Sequence, residues 1–293
     1  MDDLFENIDK QIVFNQGKNI FNENLDAFQF SEEIVKAVSD IARLDPDTKQ
    51  ILIDYATDRA IAEFCRVNQY YSFDLKARAE LKNIYTDLFE SLCTLKIPVN
   101  ELSKKHYDRL RDWIKNSNPF AVKIYSGVNK NMPPVTCSEY SPDLQIDLLK
   151  IDIGQLMQPV LDVGCGSKGN LVKFLANLGI ETYGIDRCKF PAGNLVTTDW
   201  LIYKYGNDKW GTIVSNLGFS NHFQHHHLRE DGKFIEYART FMNILNSLKV
   251  GGSFHYAPDL EFIEKYLDNK QFSVQKHSIT GYEFQATVIT RLK

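Results

Sequence analysis

The sequence lacks a long apolar run, a cysteine framework and an excess of either charge. No stretch approaches the roughly 20 apolar residues that span a bilayer, which argues against a transmembrane protein. Thirty-four basic and 38 acidic side chains give a net charge of -4, so the surface as a whole is not built to bind nucleic acid or anionic lipid. The five cysteines are odd in number, lie far apart and lack CxxC spacing, which argues against disulfides and structural zinc. They are Cys65, Cys93, Cys137, Cys165 and Cys188.

The amino terminus also lacks the features of a targeting signal. It opens on Met1-Asp2-Asp3, which is acidic where a secretory or mitochondrial signal would be basic. Together with the spacing of the cysteines, this predicts a cytoplasmic protein with reduced thiols and no membrane partner.

The first part of the chain has the pattern of successive helices. Asp45-Pro46 predicts a helix start, because Asp is a good N-cap and Pro suits the first helical position, and the helix should run to about residue 67. Apolar residues three or four apart predict a second helix over about 75–95. Asn100 is predicted to cap a third helix. No alternating strand pattern is convincing in this half.

Gly, Asn and Pro interrupt the pattern between Ser126 and Ser141, which predicts a linker. The linker separates a helical domain, about residues 1–130, from a second domain over about 141–293. In the second domain short apolar runs alternate with helical stretches, which predicts an α/β fold with a doubly wound, mostly parallel sheet. The predicted strands are Pro159–Val163, Glu181–Ile185, Asn194–Thr198, Thr212–Ser215, Ser253–Tyr256 and Phe284–Thr290.

The most informative motif is the run Val-Leu-Asp-Val-Gly-Cys-Gly-Ser-Lys-Gly at 160–169, where an apolar strand ends in glycines and enters a helix. Glycines let the backbone turn tightly and approach a ligand, and the helix start supplies free N–H groups. The spacing alone also fits the G-x-G-x-x-G pattern of dinucleotide binding. However, Asp162 would repel a pyrophosphate and attract a cationic amino group. Asp186 ends the next strand, where it can accept hydrogen bonds from ribose hydroxyls.

These residues, followed by Leu248–Gly252 between a helix and a strand, resemble the class I (Rossmann-like) S-adenosylmethionine-dependent methyltransferases. The resemblance covers about residues 141–293 and implies a seven-stranded sheet, methyl transfer and S-adenosyl-L-methionine as cofactor. Leu248–Gly252 looks like the Leu-Lys-Pro-Gly-Gly turn of the family, with Val250 in place of the proline. The implied cofactor-binding residues are Asp162, Gly164, Cys165, Gly166, Gly169, Asp186, Asp199, Trp200, Asn216 and Leu217.

The resemblance also implies roles for these residues. The backbone around Gly164 and Gly166 would pass close to the methionine part of the cofactor, and Asp186 would hold the ribose. Asp199, with Trp200, would lie near the adenine amine, although an Asp before Trp also suits a simple turn. Asn216 and Leu217 would end the fourth strand beside the methyl-transfer site.

Four histidines follow the fourth strand within six residues, and His222, His225 and His226 would share one face of a helix while His227 points away. One interpretation is a general base at the acceptor site, so we predict these three as catalytic residues. A second is a divalent metal, as in the metal-assisted 2′-O-methyltransferases of small-RNA ends, but the cluster contains no carboxylate, and we predict no metal site. A third is that the histidines pack a loop.

We expect the acceptor to be an oxygen or nitrogen of a small molecule, with the helical domain acting as lid, substrate-selecting wall or dimer surface. An RNA or DNA acceptor is less favoured. Asn216-Leu-Gly-Phe219 keeps the ends but not the prolines of the Asn-Pro-Pro-Phe motif in amino-methylating DNA enzymes, and Asp108 and Asp112 interrupt the basic stretch 104–115. A non-catalytic module that binds S-adenosylmethionine is the remaining alternative. A homodimer is compatible with the sequence.

Overall fold

The computed structural model describes residues 2–22, 28–94, 97–126, 139–191 and 193–293. It divides the chain into two compact units, Met1–Cys137 and Ser138–Lys293. Most of the linker expected between Ser126 and Ser141, and with it Cys137, lies outside the described residues. None of the helices in these described ranges is both long and apolar enough to cross a membrane.

The first unit is helical in its described parts. Asp45 caps α3 as predicted: its side chain accepts the Thr48 N–H at 2.9 Å, and Pro46 occupies the first turn. The predicted second helix is confirmed as α4. The helices are α1 (Asp2–Phe14), α2 (Glu32–Ala42), α3 (Pro46–Val67), α4 (Leu75–Thr94), α5 (Val99–Ser117) and α6 (Phe120–Tyr125).

The prediction that Asn100 caps α5 is wrong. Pro98 has φ -57 and ψ 144, and its carbonyl oxygen accepts the Leu102 N–H at 3.0 Å, so the helix begins directly after it at Val99. Asn100 therefore lies inside the first turn, where its side chain accepts the N–H of Glu101. The apolar stripe of this helix is buried.

The second unit contains a seven-stranded sheet with the strand order β3-β2-β1-β4-β5-β7-β6. Its strands pair in parallel except for β7, which is antiparallel to both β5 and β6. The predicted mostly parallel sheet is therefore confirmed. The strands are β1 (Val160–Val163), β2 (Thr182–Asp186), β3 (Leu195–Thr197), β4 (Trp210–Asn216), β5 (Leu248–Ala257), β6 (Phe272–Ser278) and β7 (Gln285–Arg291).

Helices cover both faces of the sheet. Alternate residues of a strand point to opposite faces, so neighbouring strand residues pack against different helices. Leu161 and Ile213 belong to one core cluster, together with side chains of α9 and α10. Val160 and Val214 belong to another, together with side chains of α7 and α8. The helices of this unit are α7 (Pro142–Leu148), α8 (Asn170–Asn177), α9 (Phe219–His227), α10 (Phe234–Ser247) and α11 (Glu261–Glu264).

Two features of the sheet differ from the expectations. Strand β6 had no apolar run to identify it, because most of its residues are exposed or half-buried at the sheet edge. The segment expected as a turn, Leu248–Gly252, is the first half of β5, with an irregular register opposite Trp210. Its glycines are still required: Gly251 has φ +81, and a Cβ on Gly252 would lie 2.6 Å from a backbone oxygen.

Candidate functional site

The carboxyl ends of β1, β2 and β4 lie at one edge of the sheet. Strand β1 pairs with β2 on one side and with β4 on the other. From β1 the chain builds outward through β2 to β3, and then returns to the other side to build β4 and β5. Ligands of open α/β sheets bind where the strand order reverses in this way, outside the carboxyl ends. We therefore place the candidate site at this edge.

The loop after β1 depends on its glycines. Gly164, Gly166 and Gly169 have φ values of +84, +72 and +57, which side chains other than glycine rarely adopt. A Cβ on Gly164 would also lie 3.0 Å from the Trp200 ring, and one on Gly169 would lie 2.9 Å from Leu195. Because these positions carry no side chains, the backbone of the loop is uncovered there. A ligand can therefore approach it closely.

Asp186, at the end of β2, holds the loop in place. Its Oδ2 accepts the Gly166 N–H at 3.1 Å, and its Oδ1 accepts the Cys188 N–H at 3.0 Å. The half-buried carboxylate still has lone pairs for further donors, because each oxygen can accept two hydrogen bonds. Cys165 is buried, and burial raises the pKa of its thiol, which therefore stays protonated.

Asp162 is a buried carboxyl group in β1. Its side chain is 2% exposed, and its Oδ2 has no hydrogen-bond partner among the described residues. Burial raises the pKa of Asp162 to about 8, with a smaller contribution from the negative charge of Asp186. At neutral pH this group is therefore mostly a neutral carboxylic acid.

Asn216 ends β4 on the same face of the sheet, because Asp162 pairs with Val214 and alternate residues share a face. Asn216 is 8% exposed, and within the described ranges neither its Oδ1 nor its Nδ2 has a hydrogen-bond partner. We call these three atoms, Asp162 Oδ2 and Asn216 Oδ1 and Nδ2, the polar edge. Buried polar atoms without partners cost about 1–3 kcal/mol each, so their placement at a sheet edge indicates a ligand.

The segment after β3 is a turn capped by Asp199. Its Oδ1 accepts the Leu201 N–H at 2.8 Å, as expected for an Asp that begins a turn. Trp200 brings the glycine loop and α9 together. Its ring lies against Gly164 and meets the His222 ring edge to face, with 4.9 Å between the ring centroids.

Leu217 has a left-handed backbone conformation, with φ +53, directly after Asn216. Side chains other than glycine pay of order 1 kcal/mol or more for this conformation. Two hydrogen bonds hold it: the Leu217 N–H donates to Ala257 O at 2.9 Å, and its carbonyl oxygen accepts from Asn221 Nδ2 at 2.8 Å. The end of β4 is therefore fixed by the fold.

His222 lies in the interior of the second unit. It is 4% exposed, and its Nδ1 lies 3.5 Å from the Tyr237 hydroxyl. Burial lowers the pKa of His222 well below its ordinary value, and the nearby Arg187 lowers it further. The imidazole is therefore neutral at physiological pH.

His225 and His226 have partners along α9 and in the loop that follows. His225 Nε2 accepts from Arg229 at 3.0 Å, since arginine can only donate, and His226 Nδ1 accepts the Lys233 N–H at 3.2 Å. Burial, with Arg229 next, lowers the pKa of His225 to about 4, and burial lowers that of His226 to about 3. Among the described residues, no three His, Cys, Asp or Glu side chains are grouped as metal ligands.

Several residues at the site could not be predicted from the sequence, because no motif or periodicity identifies them. The Glu139 carboxylate accepts the Ser167 hydroxyl of the glycine loop, and the Tyr140 carbonyl oxygen accepts from Asn170 Nδ2 at 3.2 Å. Tyr237 packs on His226 with 4.8 Å between the ring centroids. These contacts join segments far apart in sequence, which no local pattern can indicate.

No protein-family model and no curated protein matches the sequence. Among solved structures, the chain is similar to a TehB-like SAM-dependent methyltransferase from Corynebacterium glutamicum, at 19% identity and a TM-score of 0.35, over 47% of this chain and 85% of that one. It is also similar to an rRNA methylase from Streptococcus thermophilus, at 15% identity and a TM-score of 0.36, over 54% and 100% of the two chains. A third is the N-methyltransferase NodS from Bradyrhizobium japonicum, at 13% identity and a TM-score of 0.37, over 52% and 96%.

Proposed function

We propose that the second unit binds S-adenosyl-L-methionine and transfers its methyl group to an oxygen or nitrogen of a small molecule. The observation that carries the proposal is the polar edge, which lies beside a glycine loop at the point where the strand order reverses. A cofactor with a cationic amino group, a carboxylate and hydroxyls matches a buried carboxyl group next to an amide that can both donate and accept.

The remaining residues fit the parts of this cofactor. Asp162 would bind the ammonium group, Asn216 the polar atoms of the methionine part, and Asp186 the ribose hydroxyls. Gly164 and Gly166 would let the backbone approach. Asp199 is proposed beside the adenine amine, with Trp200, Cys165, Gly169 and Leu217 shaping the surrounding wall.

The cofactor would supply a methyl group on a sulfonium, which leaves readily. The protein then has to exclude water and align the acceptor, and such alignment can supply much of a rate enhancement. A neutral histidine can orient a hydroxyl or amine by accepting its hydrogen bond. His222 is best placed for this role, because its ring contacts Trp200, which contacts Gly164 of the glycine loop. We propose that His225, which accepts from Arg229, and His226, whose Nδ1 accepts the Lys233 N–H, hold the shape of this wall.

Two observations favour a small acceptor over a nucleic acid. Proline fixes φ near -65°, so the left-handed Leu217 does not have the backbone that an Asn-Pro-Pro motif would impose. In addition, four of the five basic side chains of α5 have acidic partners, which lowers the positive charge that this surface offers to phosphate. The ion pairs are Lys105–Glu101, Arg109–Asp87, Arg111–Asp108 and Lys115–Asp112.

Calorimetry of the full chain with S-adenosylmethionine tests the binding. We expect saturable binding of one molecule per chain, and S-adenosylhomocysteine should compete with it. Formation of S-adenosylhomocysteine in the presence of fractionated metabolites then tests transfer, with total RNA as the parallel acceptor. Absence of binding at millimolar cofactor would refute the proposal. Binding without turnover on any acceptor would instead favour a non-catalytic module that binds S-adenosylmethionine. In that case the helical unit would have no substrate to select.

Replacing His222 by alanine is expected to lower kcat about tenfold, which corresponds to the loss of one hydrogen bond of about 1.4 kcal/mol. The cofactor Kd should not change. Because the pKa of His222 is lowered well below 6.5, the wild-type kcat at saturating cofactor should not change as the pH passes 6.5 and should decrease only at a pH well below it. His227→Ala is the matched control: this exposed residue of the same helix stacks on Phe262, and its variant should retain the wild-type kcat. Equal rates for both variants would contradict a role for His222.

A further inference from the structure

The helical unit contains a cavity of about 150 Å³ that is partly open to solvent. Helices α1 to α5 all contribute to its wall, and the lining is mainly aliphatic and aromatic. Representative residues are Ile8, Ile34, Leu52, Leu88 and Leu110. Native cores rarely leave a void larger than a water molecule, because every missing contact costs dispersion energy. A cavity of this size between five helices therefore has to be explained.

The volume limits what the cavity can hold. An apolar cavity of about 150 Å³ accommodates a molecule the size of benzene, whereas pockets for drug-sized ligands measure about 300–1,000 Å³. A long acyl chain or a nucleotide is thus too large. A single ring with one small substituent fits.

Aromatic residues form one side of the wall. The His106 ring has centroid distances of 5.2 Å to Tyr85 and 5.2 Å to Tyr107, and 6.0 Å to Phe30. All four residues line the cavity. Faces and edges of rings at these distances favour a further ring in an offset or edge-to-face arrangement.

The same side carries polar groups with hydrogen-bonding capacity. Tyr107 Oη accepts from Gln11 Nε2 at 3.0 Å and from Asn15 Nδ2 at 2.6 Å, which uses its lone pairs and leaves its own O–H to donate. His106 is 5% exposed, and its Nδ1 has no hydrogen-bond partner within the described part of the chain. Burial lowers the pKa of His106 to about 3, with a smaller contribution from Arg109, so the ring is neutral.

The charged residues of the lining already have partners. Lys18 Nζ donates to Asn15 Oδ1 at 2.7 Å, and Glu63 accepts two hydrogen bonds from Arg66 at 2.7 and 2.8 Å. A charged ligand would lose its hydration against a lining that is mainly apolar, which is costly. An uncharged ligand avoids this cost.

We infer that the helical unit is a binding site for a small, uncharged, single-ring aromatic molecule that carries one hydroxyl or similar polar group. The apolar wall takes the ring, and Tyr107 and His106 take the polar group. This site lies wholly within the first unit and does not depend on the function proposed for the second.

Fluorine NMR of 4-fluorophenol with the full chain tests this inference. We expect saturable broadening of the fluorine signal that phenol reverses by competition. Benzoate, which has the same ring and a charge, should compete at least tenfold more weakly. No saturable binding at millimolar 4-fluorophenol, or benzoate competing as well as phenol, would overturn the inference.

Variants that fill the cavity locate the binding. Ala56→Leu places extra carbons into the space from α3 and should weaken 4-fluorophenol binding at least tenfold. Ala62→Leu on the same helix is the matched control, because Ala62 is exposed and does not line the cavity. If Ala56→Leu does not fold, Ala37→Leu fills the space from α2. Equal binding by the cavity-filling and control variants would contradict this site.

Discussion

Binding of S-adenosylmethionine at pH 7 is expected to release close to one proton from the protein, and Asp162→Asn is expected to abolish this release. The pKa of Asp162 is raised to about 8, so most of the molecules carry a protonated Asp162 at pH 7. An ammonium group placed beside it favours the carboxylate and expels the proton. Calorimetry in buffers of different ionisation enthalpy measures the number of protons released.

The sign of the pH dependence follows from the same shift. Below pH 8 the free protein must lose a proton before the ion pair forms, so apparent affinity should fall about tenfold for each unit of decreasing pH. Above pH 8 Asp162 is already ionised, but the α-amino group of the cofactor, with an ordinary pKa of about 8, loses its charge, so apparent affinity should pass through a maximum near pH 8. Proton release should likewise decline from pH 7 towards pH 8, and at higher pH binding should take up a proton on the cofactor's amino group.

Asp162→Asn should also weaken cofactor binding about 100-fold, because a buried hydrogen bond between charged groups contributes about 1.5–3 kcal/mol. Two ligands serve as controls. S-adenosylhomocysteine keeps the amino-acid part and should release the proton, whereas methylthioadenosine lacks it and should not. Proton release of the same size with methylthioadenosine would show that Asp162 does not bind the ammonium group.

Glu264→Ala is expected to destabilise the second unit by about 3–5 kcal/mol, because it removes a buried acceptor that three donors share. Glu264 Oε1 accepts from the Tyr256 hydroxyl at 2.6 Å, the Leu260 N–H at 2.7 Å and the Thr287 hydroxyl at 3.1 Å. Its Oε2 lies 3.0 Å from Lys276 Nζ. Tyr256 and Thr287 are fully buried, so alanine would leave their hydroxyls without an acceptor.

Hydrogen exchange of β5 and β7 amides at increasing urea measures this loss within the second unit. Glu264→Gln keeps an acceptor at the same position and should lose only about 1–2 kcal/mol. Glu261 contacts the same Lys276 at 3.2 Å, but its side chain is 80% exposed, so Glu261→Ala should cost less than about 0.5 kcal/mol. A loss for Glu264→Ala no greater than that for Glu261→Ala would contradict the assignment.

The sequence predicts elements well where a local cause determines them. Asp45-Pro46 begins a helix because the cap and the proline act within four residues, and β1 and β4 have buried apolar runs. Strand β6 was missed because an edge strand needs few apolar side chains. The prediction for Asn100 was wrong because an asparagine can cap a helix only where the helix has not already begun. Here the helix begins directly after Pro98.

The candidate site was predicted in part for similar reasons. The glycines and Asp162 lie within one local motif, so their type and spacing indicate a ligand. The state of the histidines could not be predicted, because their lowered pKa values depend on burial between α9 and Tyr237. The cavity of the first unit was also hidden from the sequence, since it depends on how five helices pack.

The left-handed Leu217 has a thermodynamic consequence for the site. Its conformation is imposed when the chain folds, so the entropy of ordering the end of β4 is lost at that stage and not when a ligand arrives. The strain energy of the Leu217 backbone lowers the stability of the free protein. The same conformation fixes the backbone next to Asn216 before a ligand binds. Leu217→Gly should relieve this strain but also remove a side chain that packs against the core, and ligand association of the variant should carry a less favourable entropy.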